Sequence, residues 1–216
     1  LLQYELDLGD EWFIDGLLGI KQHNSAAIHN LLKDNALNQV QVPVHRDYHS
    51  RNLLLCDNNP GIIDFQDAVF GPVSYDLVSL LRDCYIDWPQ QRVARWVQYY
   101  CDKPEVQDLL GSQINDFQRH FDLMGVQRHW KAIGIFSRKH LRDDASAFLQ
   151  DIPRSLNYIE QVCVVGLGLP QPMALVVASE AARSITKAST TAKLQHTLIE
   201  TNLQLQSHEK INALII

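Results

Sequence analysis

The sequence predicts a mainly helical α+β domain in which a small β-hairpin carries the residues suited to chemistry. Apolar residues recur at helical spacing through most of the range 5–163. Two short apolar runs, Leu53–Cys56 and Gly61–Phe65, flank the turn-forming segment Asp57–Pro60, which is the pattern of a hairpin. A composition of 46% apolar and 20% charged residues is typical of a globular chain.

The helices have recognisable start signals. Apolar periodicity predicts helices at residues 5–20, 25–37, from 74, from 89, from 104, at 113–141 and at 153–163. Asn24 or Ser25 is expected to cap the second helix, and Ser74 to cap the third. Pro89 suits the first position of a helix. Gln41–Val44 reads as a short strand before the hairpin.

Composition excludes several classes of protein. A net charge of −6 disfavours broad binding to nucleic acid. The most apolar window, Val162–Ala178, is broken by Pro170 and Pro172, so we expect no membrane span. The four cysteines are widely separated, which predicts neither a zinc knuckle nor a disulfide scaffold and favours a reducing cytoplasm.

The composition changes near the C-terminus. The seven Phe, four Trp and seven Tyr all lie between Tyr4 and Tyr158. We therefore expect a compact domain over residues 1–163 and an atypical tail over 164–216, either helical at 190–215 or disordered. The chain begins with Leu1 and not with Met, which predicts a natural fragment or a sequence trimmed at its N-terminus.

A cluster of polar residues surrounds the predicted hairpin: His45, Asp47, His49, Asn52, Asp64 and Asp67. Because a hairpin folds its two flanks together, Asp47, Asn52 and Asp64 can converge. Carboxylate and amide oxygens suit Mg²⁺, which takes further ligands from phosphates and water. A carboxylate beside such an ion can accept a proton from an attacking hydroxyl. This division of labour is the one that phosphoryl transfer requires.

The motifs resemble a known family. HRDYHSRN (45–52), IIDFQDAVFGP (62–72) and YDLVSLLRD (75–83) are similar to the aminoglycoside phosphotransferase family, which includes choline and sugar kinases. DCYIDWP (83–89) and FDLMGVQRHWKAIGIFSR (121–138) resemble its cell-wall amino-sugar kinases. The resemblance covers residues 1–163. It implies the larger, helical C-terminal lobe of a protein-kinase-like fold, and ATP-dependent phosphorylation of the anomeric hydroxyl of N-acetylmuramate or N-acetylglucosamine in cell-wall recycling.

The resemblance also implies roles for individual residues. Asp47 would be the catalytic base, and Asn52 and Asp64 would hold Mg²⁺ at the ATP phosphates. Asp67 would be a further metal ligand or would bind a water of that shell. His45 would brace the catalytic loop, and Asp76 resembles the aspartate that braces the same loop, although a helix N-terminal position also suits an acidic residue.

The family's glycine-rich loop and nucleotide-binding lysine are expected before the catalytic loop. The residues that precede His45 read as helical and contain neither G-x-G-x-x-G nor a matching V-A-x-K. We therefore predict that the nucleotide lobe is largely absent and that this chain alone binds ATP weakly and turns over poorly.

Alternatives remain open from the sequence. His45, Asp47 and His49 occupy every second position, so on a strand their side chains would share one face and could bind a metal in a hydrolase. A kinase-like module that binds sugar without turnover is a second alternative. Candidate substrate contacts are Trp88, Arg128 and Trp130. Trp96 is expected in the core. For Arg128 and its neighbour His129, a solvated helix face is the alternative to a substrate contact.

Overall fold

The computed structural model of the protein describes residues 1–21 and 25–162. The α-helices in these ranges are α1 (Leu2–Leu8), α2 (Ala26–Asn38), α3 (Tyr75–Leu81), α4 (Gln90–Cys101), α5 (Pro104–Leu110), α6 (Phe117–Asp143) and α7 (Ile152–Gln161). The strands are β1 (Gln41–Val44), β2 (Leu53–Leu54), β3 (Gly61–Ile62) and β4 (Val69–Pro72). A π-helix spans Gly9–Leu17, and 3₁₀ turns span Ser50–Asn52, Gly111–Asp116 and Ser146–Asp151.

The described residues fall into two compact units. One unit takes its residues from 1–39 and 119–162, and the other comprises 40–118. The predicted hairpin and the polar cluster around it lie in the second unit. Within the described ranges, no helix is both long enough and apolar enough to cross a bilayer.

Close helix packing stabilises the first unit. Its fully buried large side chains include Leu6, Phe13, Leu32, Phe121, Met124 and Ile133. Gly134 of α6 lies against the backbone of Leu8, so closely that a β-carbon at this position would collide with it. Glu5 is only 2% exposed; it accepts a hydrogen bond from Gln127 (2.8 Å) and lies 3.1 Å from the ammonium of Lys131. Since a buried carboxylate is tolerated only when it is paired, these contacts fix how α1 packs on α6.

Two small antiparallel sheets organise the second unit. β1 pairs with β4, so that Val44 lies opposite Val69, and β2 pairs with β3, so that Leu53 lies opposite Ile62. Pro43 is compatible with β1 because each strand of a two-stranded sheet is an edge strand. This pairing places the segment between β1 and β2 beside the segment between β3 and β4.

The prediction of a mainly helical chain with a small antiparallel hairpin is confirmed, and the strand Gln41–Val44 has the predicted bounds. Ser25 and Ser74 precede α2 and α3 as predicted, but neither side chain makes a capping hydrogen bond. The helix expected at 5–20 is present over most of that range, but the α-helix gives way to a π-helix at Gly9.

The structure differs from the sequence prediction in two further places. The helix expected from residue 113 begins at Phe117, after a 3₁₀ turn, and continues to Asp143. Strand β4 was not expected, because Gly71-Pro72 reads as a turn and its partner β1 is distant in sequence. The tail 164–216 and the candidate cap Asn24 lie outside the described residues.

Candidate active site

The loop from His45 to Asn52 joins β1 to β2, and Asp76 holds its first two residues. Asp76 lies in the first turn of α3. Its Oδ2 accepts the backbone N–H of His45 (2.6 Å), and its Oδ1 accepts that of Arg46 (3.0 Å). Arg46 has a φ of 74°, a left-handed conformation that costs a non-glycine residue roughly 1–2 kcal/mol. The paired hydrogen bonds to one carboxylate offset that strain and set the direction in which the chain enters Asp47.

The side chain of Asn52 joins two of the predicted site residues. Asn52 is 9% exposed, and its Nδ2 donates to the backbone carbonyl of Asp47 (3.0 Å) and to Oδ2 of Asp64 (3.4 Å). The N–H of His49 donates to the same Asp47 carbonyl (2.9 Å). The backbone of Asp47, the amide of Asn52 and the carboxylate of Asp64 therefore meet at one place. Asp47 as a whole is partly exposed.

Asp64 follows β3 and is oriented by amide groups. Its φ is 69°, the second left-handed non-glycine residue of this region. Its Oδ1 accepts a hydrogen bond from Nε2 of Gln66 (2.7 Å), while Oδ2 faces Asn52. The carbonyl of Ile63 accepts a hydrogen bond from Nε2 of His45 (2.9 Å), so this nitrogen carries the proton. His45 thus connects the loop to the backbone immediately before Asp64.

Tyr48 packs beside this connection, with its ring 5.9 Å from that of His45. Burial, reinforced by the negative charge of Asp76, raises the pKa of the Tyr48 hydroxyl above its ordinary value. Tyr48 therefore remains neutral at physiological pH and adds no charge to the site.

Sequence reasoning missed Asp83, which lies two residues after α3. Its side chain is 2% exposed; Oδ2 accepts the N–H of Ser50 (2.9 Å) and Oδ1 accepts the N–H of Tyr85 (2.8 Å). The second bond is an Asx turn, in which an aspartate accepts from the backbone two residues on. A charged residue just past a helix end was the only available signal, and it did not reveal the bond to Ser50.

Asp67 is placed differently from Asn52 and Asp64. It is exposed, and its backbone carbonyl accepts a hydrogen bond from Nη1 of Arg46 (3.4 Å). The structure brings Asn52 and Asp64 side by side but records no such contact for Asp67 among the described residues. Its role as a metal ligand stays a prediction.

The donor set fits a magnesium ion that is shared with phosphates. The side chains of Asn52 and Asp64 lie side by side and carry amide and carboxylate oxygens, the hard ligands that Mg²⁺ prefers; the atom of Asn52 that faces Oδ2 of Asp64 here is Nδ2. In the part of the chain that the structure describes, no three His, Cys, Asp or Glu side chains are grouped to hold a metal. A site with few protein ligands suits Mg²⁺, which keeps water and phosphate oxygens in its shell.

The same finding disfavours the alternative metal site at His45, Asp47 and His49. These residues lie in a loop and not on a strand, so their alternation does not place them on one face. Nε2 of His45 is bonded to Ile63, and the ring of His49 packs at 5.4 Å on Tyr85. A zinc site of the hydrolase type is therefore not favoured.

Trp88, one of the two candidate tryptophans for a substrate contact, is buried, and such a contact stays a prediction. Trp88 is 5% exposed and packs edge-to-face on Trp96, with ring centroids 5.2 Å apart. Trp96, expected in the core, is the more exposed of the two. Both side chains belong to one aromatic contact that packs α4 against the segment before it.

The other substrate candidates lie on α6 in the first unit. Arg128 and His129 are 8% and 2% exposed, so the expectation that they occupy a solvated helix face is wrong. Nε1 of Trp130 donates to Oδ1 of Asp10 (3.1 Å). These side chains take part in the packing of their own unit, and a substrate contact for Arg128 or Trp130 stays a prediction.

Comparison with known proteins identifies the chain. A family model described as "Phosphotransferase enzyme family" matches residues 8–110, which include the whole loop and hairpin. Residues 8–110 therefore form a domain of this family. A second model, described as "AMP-binding enzyme C-terminal domain", matches residues 145–216, which include the compositionally atypical tail.

Curated relatives within the family carry one name, N-acetylmuramate/N-acetylglucosamine kinase. The chain is 42% identical to that of Pseudomonas putida over 168 residues, covering 75% of the chain and 50% of the relative. It is 43% identical to that of Neisseria meningitidis over 165 residues, covering 73% and 49%. The relative from Caulobacter vibrioides is 30% identical over 125 residues, covering 55% and 32%. The chain thus spans about half the length of the relatives from Pseudomonas putida and Neisseria meningitidis.

Proposed function

We propose that this chain carries the catalytic loop of an ATP-dependent kinase that phosphorylates the anomeric hydroxyl of N-acetylmuramate or N-acetylglucosamine. The observation that carries the proposal is the side chain of Asn52, which connects the backbone of Asp47 with the carboxylate of Asp64. The names of the similar proteins supply the substrate class. The segment would correspond to the C-terminal lobe of a kinase-like fold, acting in the reducing cytoplasm on sugars released during cell-wall recycling.

In this proposal Asp47 is the general base. The sugar hydroxyl oxygen attacks the γ-phosphorus of ATP, its proton passes to the Asp47 carboxylate, and the bond between the γ-phosphorus and the β,γ-bridging oxygen breaks to release ADP. The contribution of the protein is mainly positioning, because the transition state of phosphoryl transfer is loose. The hydrogen bonds at the Asp47 carbonyl supply that positioning by fixing the backbone from which the base projects.

The amide oxygen of Asn52 and the carboxylate of Asp64 would hold magnesium. When bound, the ion would neutralise charge on the nucleotide phosphates. Gln66 and the neighbouring Asn52 orient the two oxygens of Asp64. This arrangement restricts the carboxylate without burying it, which leaves Asp64 accessible to a phosphate-bound ion.

The direct experiment measures transfer of labelled phosphate from ATP to a panel of amino sugars in the presence of Mg²⁺. We expect label on N-acetylmuramate or N-acetylglucosamine, and loss of the reducing end would show that the anomeric oxygen is the acceptor. Asp47→Asn removes the base and should lower kcat by about 100- to 10,000-fold. Asp57→Asn, in the exposed hairpin turn, is the matched control and should leave the rate unchanged.

The outcomes separate the open possibilities. Sugar binding without any transfer, even when the missing nucleotide lobe is restored, would favour a silent binding module. Equal rates in Asp47→Asn and in the control would refute the assignment of the base, even if transfer occurs.

A further inference from the structure

One short helix supports both ends of the loop that contains Asp47. Asp76, in the first turn of α3, binds the backbone of residues 45 and 46. Asp83, just beyond the last turn, binds the backbone of Ser50. The seven residues of α3 span about 10 Å, so the two carboxylates contact well-separated parts of the loop. Asp47 lies between the two points of attachment.

The environment of Asp83 indicates a positioning role. At 2% exposure its side chain is withdrawn from solvent, and both oxygens accept backbone N–H groups at 2.8–2.9 Å. A buried carboxylate is costly unless it is hydrogen-bonded, so these two bonds offset the cost of burying Asp83. Because it is buried, Asp83 acts on the loop and does not itself reach a substrate.

Tyr85 extends the attachment to the residues on either side of Ser50. The guanidinium of Arg51 lies 3.5 Å from the centroid of the Tyr85 ring, within cation–π range. The ring of His49 packs on the same tyrosine at 5.4 Å. Three consecutive loop residues are therefore held by Asp83 and Tyr85, immediately before Asn52.

We propose that Asp83, assisted by Tyr85, is a positioning residue for phosphoryl transfer. It fixes the conformation of residues 49–51 and thereby the place of Asn52 beside Asp64. This inference rests on the proposed function for its kinetic consequence, but the attachment itself is independent of that function. The segment 82–88, which contains Asp83 and Tyr85, would then serve to hold the catalytic loop.

The test compares Asp83→Asn and Asp83→Ala with the control Asp87→Asn, an exposed aspartate four residues further on. Asparagine has the same size but offers one acceptor to two N–H donors. We expect the amide of Ser50 to exchange with deuterium about ten- to a hundredfold faster in Asp83→Asn, with exchange in the β1–β4 ladder unchanged. If Asp83→Ala fails to fold, Asp83→Asn still decides the question.

A kinetic measurement distinguishes positioning from a general loss of stability. Below the melting transition, Asp83→Asn should lower kcat about tenfold while KM for the sugar stays nearly constant, since only the transition state is affected. Asp83→Glu, which keeps both oxygens, should recover part of the rate. Unchanged Ser50 exchange, or a loss expressed in KM alone, would overturn the proposal. Failure to phosphorylate any sugar, even when the nucleotide lobe is supplied, would refute the proposed function, and the exchange result would still decide for or against Asp83.

Discussion

Removal of the Asp76 carboxylate tests whether it holds the catalytic loop in a strained conformation. Asp76→Ala loses the hydrogen bonds to the N–H groups of His45 and Arg46, at 2.6 and 3.0 Å. Hydrogen bonds to a charged group contribute about 1.5–3 kcal/mol each when buried. Because Asp76 is partly exposed, water can replace part of its hydrogen bonding in the variant. We therefore expect a net loss of about 2 kcal/mol in the free energy of unfolding.

The strain can be measured separately at Arg46. Arg46→Gly relieves a left-handed conformation worth roughly 1–2 kcal/mol but adds about 0.5–1 kcal/mol of chain entropy in the unfolded state. Alone, it should change stability by no more than about 1.5 kcal/mol. In the glycine background, however, Asp76→Ala has less strain to release. We therefore expect the two changes to be coupled by about 1 kcal/mol.

Urea unfolding of the wild-type chain, both single variants and the double variant gives the coupling as a double-mutant cycle. Asp57→Ala, in the exposed hairpin turn, is the control and should lie within about 0.5 kcal/mol of the wild type. Effects that add to within about 0.3 kcal/mol would show that Asp76 does not restrain Arg46, and the account of the loop given above would be wrong.

Three further predictions concern ligands and pH. Millimolar Mg²⁺ should raise the melting temperature. Asp64→Ala should abolish this response, whereas the control Asp57→Ala should keep it. An undiminished response in Asp64→Ala would place the ion elsewhere. Calorimetric titration of the isolated chain with Mg·ATP should give an affinity weaker than micromolar, since the sequence lacks the expected phosphate-binding loop, and tight binding would contradict this. The raised pKa of Tyr48 means that its contribution to stability is complete below the unfolded pKa, about 10, and is lost as pH rises through the folded value. Tyr48→Phe should therefore reduce the loss of stability measured above pH 10, and an identical alkaline profile would count against this burial effect.

The local parts of the site were predictable from the sequence because local patterns determine them. Leu53–Cys56, the turn and Gly61–Phe65 predict a hairpin, and a hairpin brings Asn52 close to Asp64 whatever the rest of the chain does. The observed contact between the two side chains has this origin. A contact between two side chains does not establish that they coordinate an ion, so these roles remain predictions.

Non-local features could not be predicted in this way. Strand β4 becomes a strand only by pairing with β1, and Asp83 acts on Ser50, 33 residues away. The burial of Arg128 and His129 has a related cause. Residues 123–129 of α6 are all buried, so this part of the helix has no solvated face for charged residues to occupy.

The two non-glycine residues with a positive φ in the described part of the second unit lie next to the proposed chemistry. Arg46 directly precedes Asp47, and Asp64 is itself a proposed ligand. Such conformations persist only where surrounding contacts impose them. For Arg46 that contact is the carboxylate of Asp76, which accepts the Arg46 N–H. The amides of Asn52 and Gln66 orient the carboxylate of Asp64, not its backbone. The carboxylate of Asp76 therefore holds the backbone that enters Asp47, and a substitution of Asp76 should disturb Asp47 without removing any atom of it.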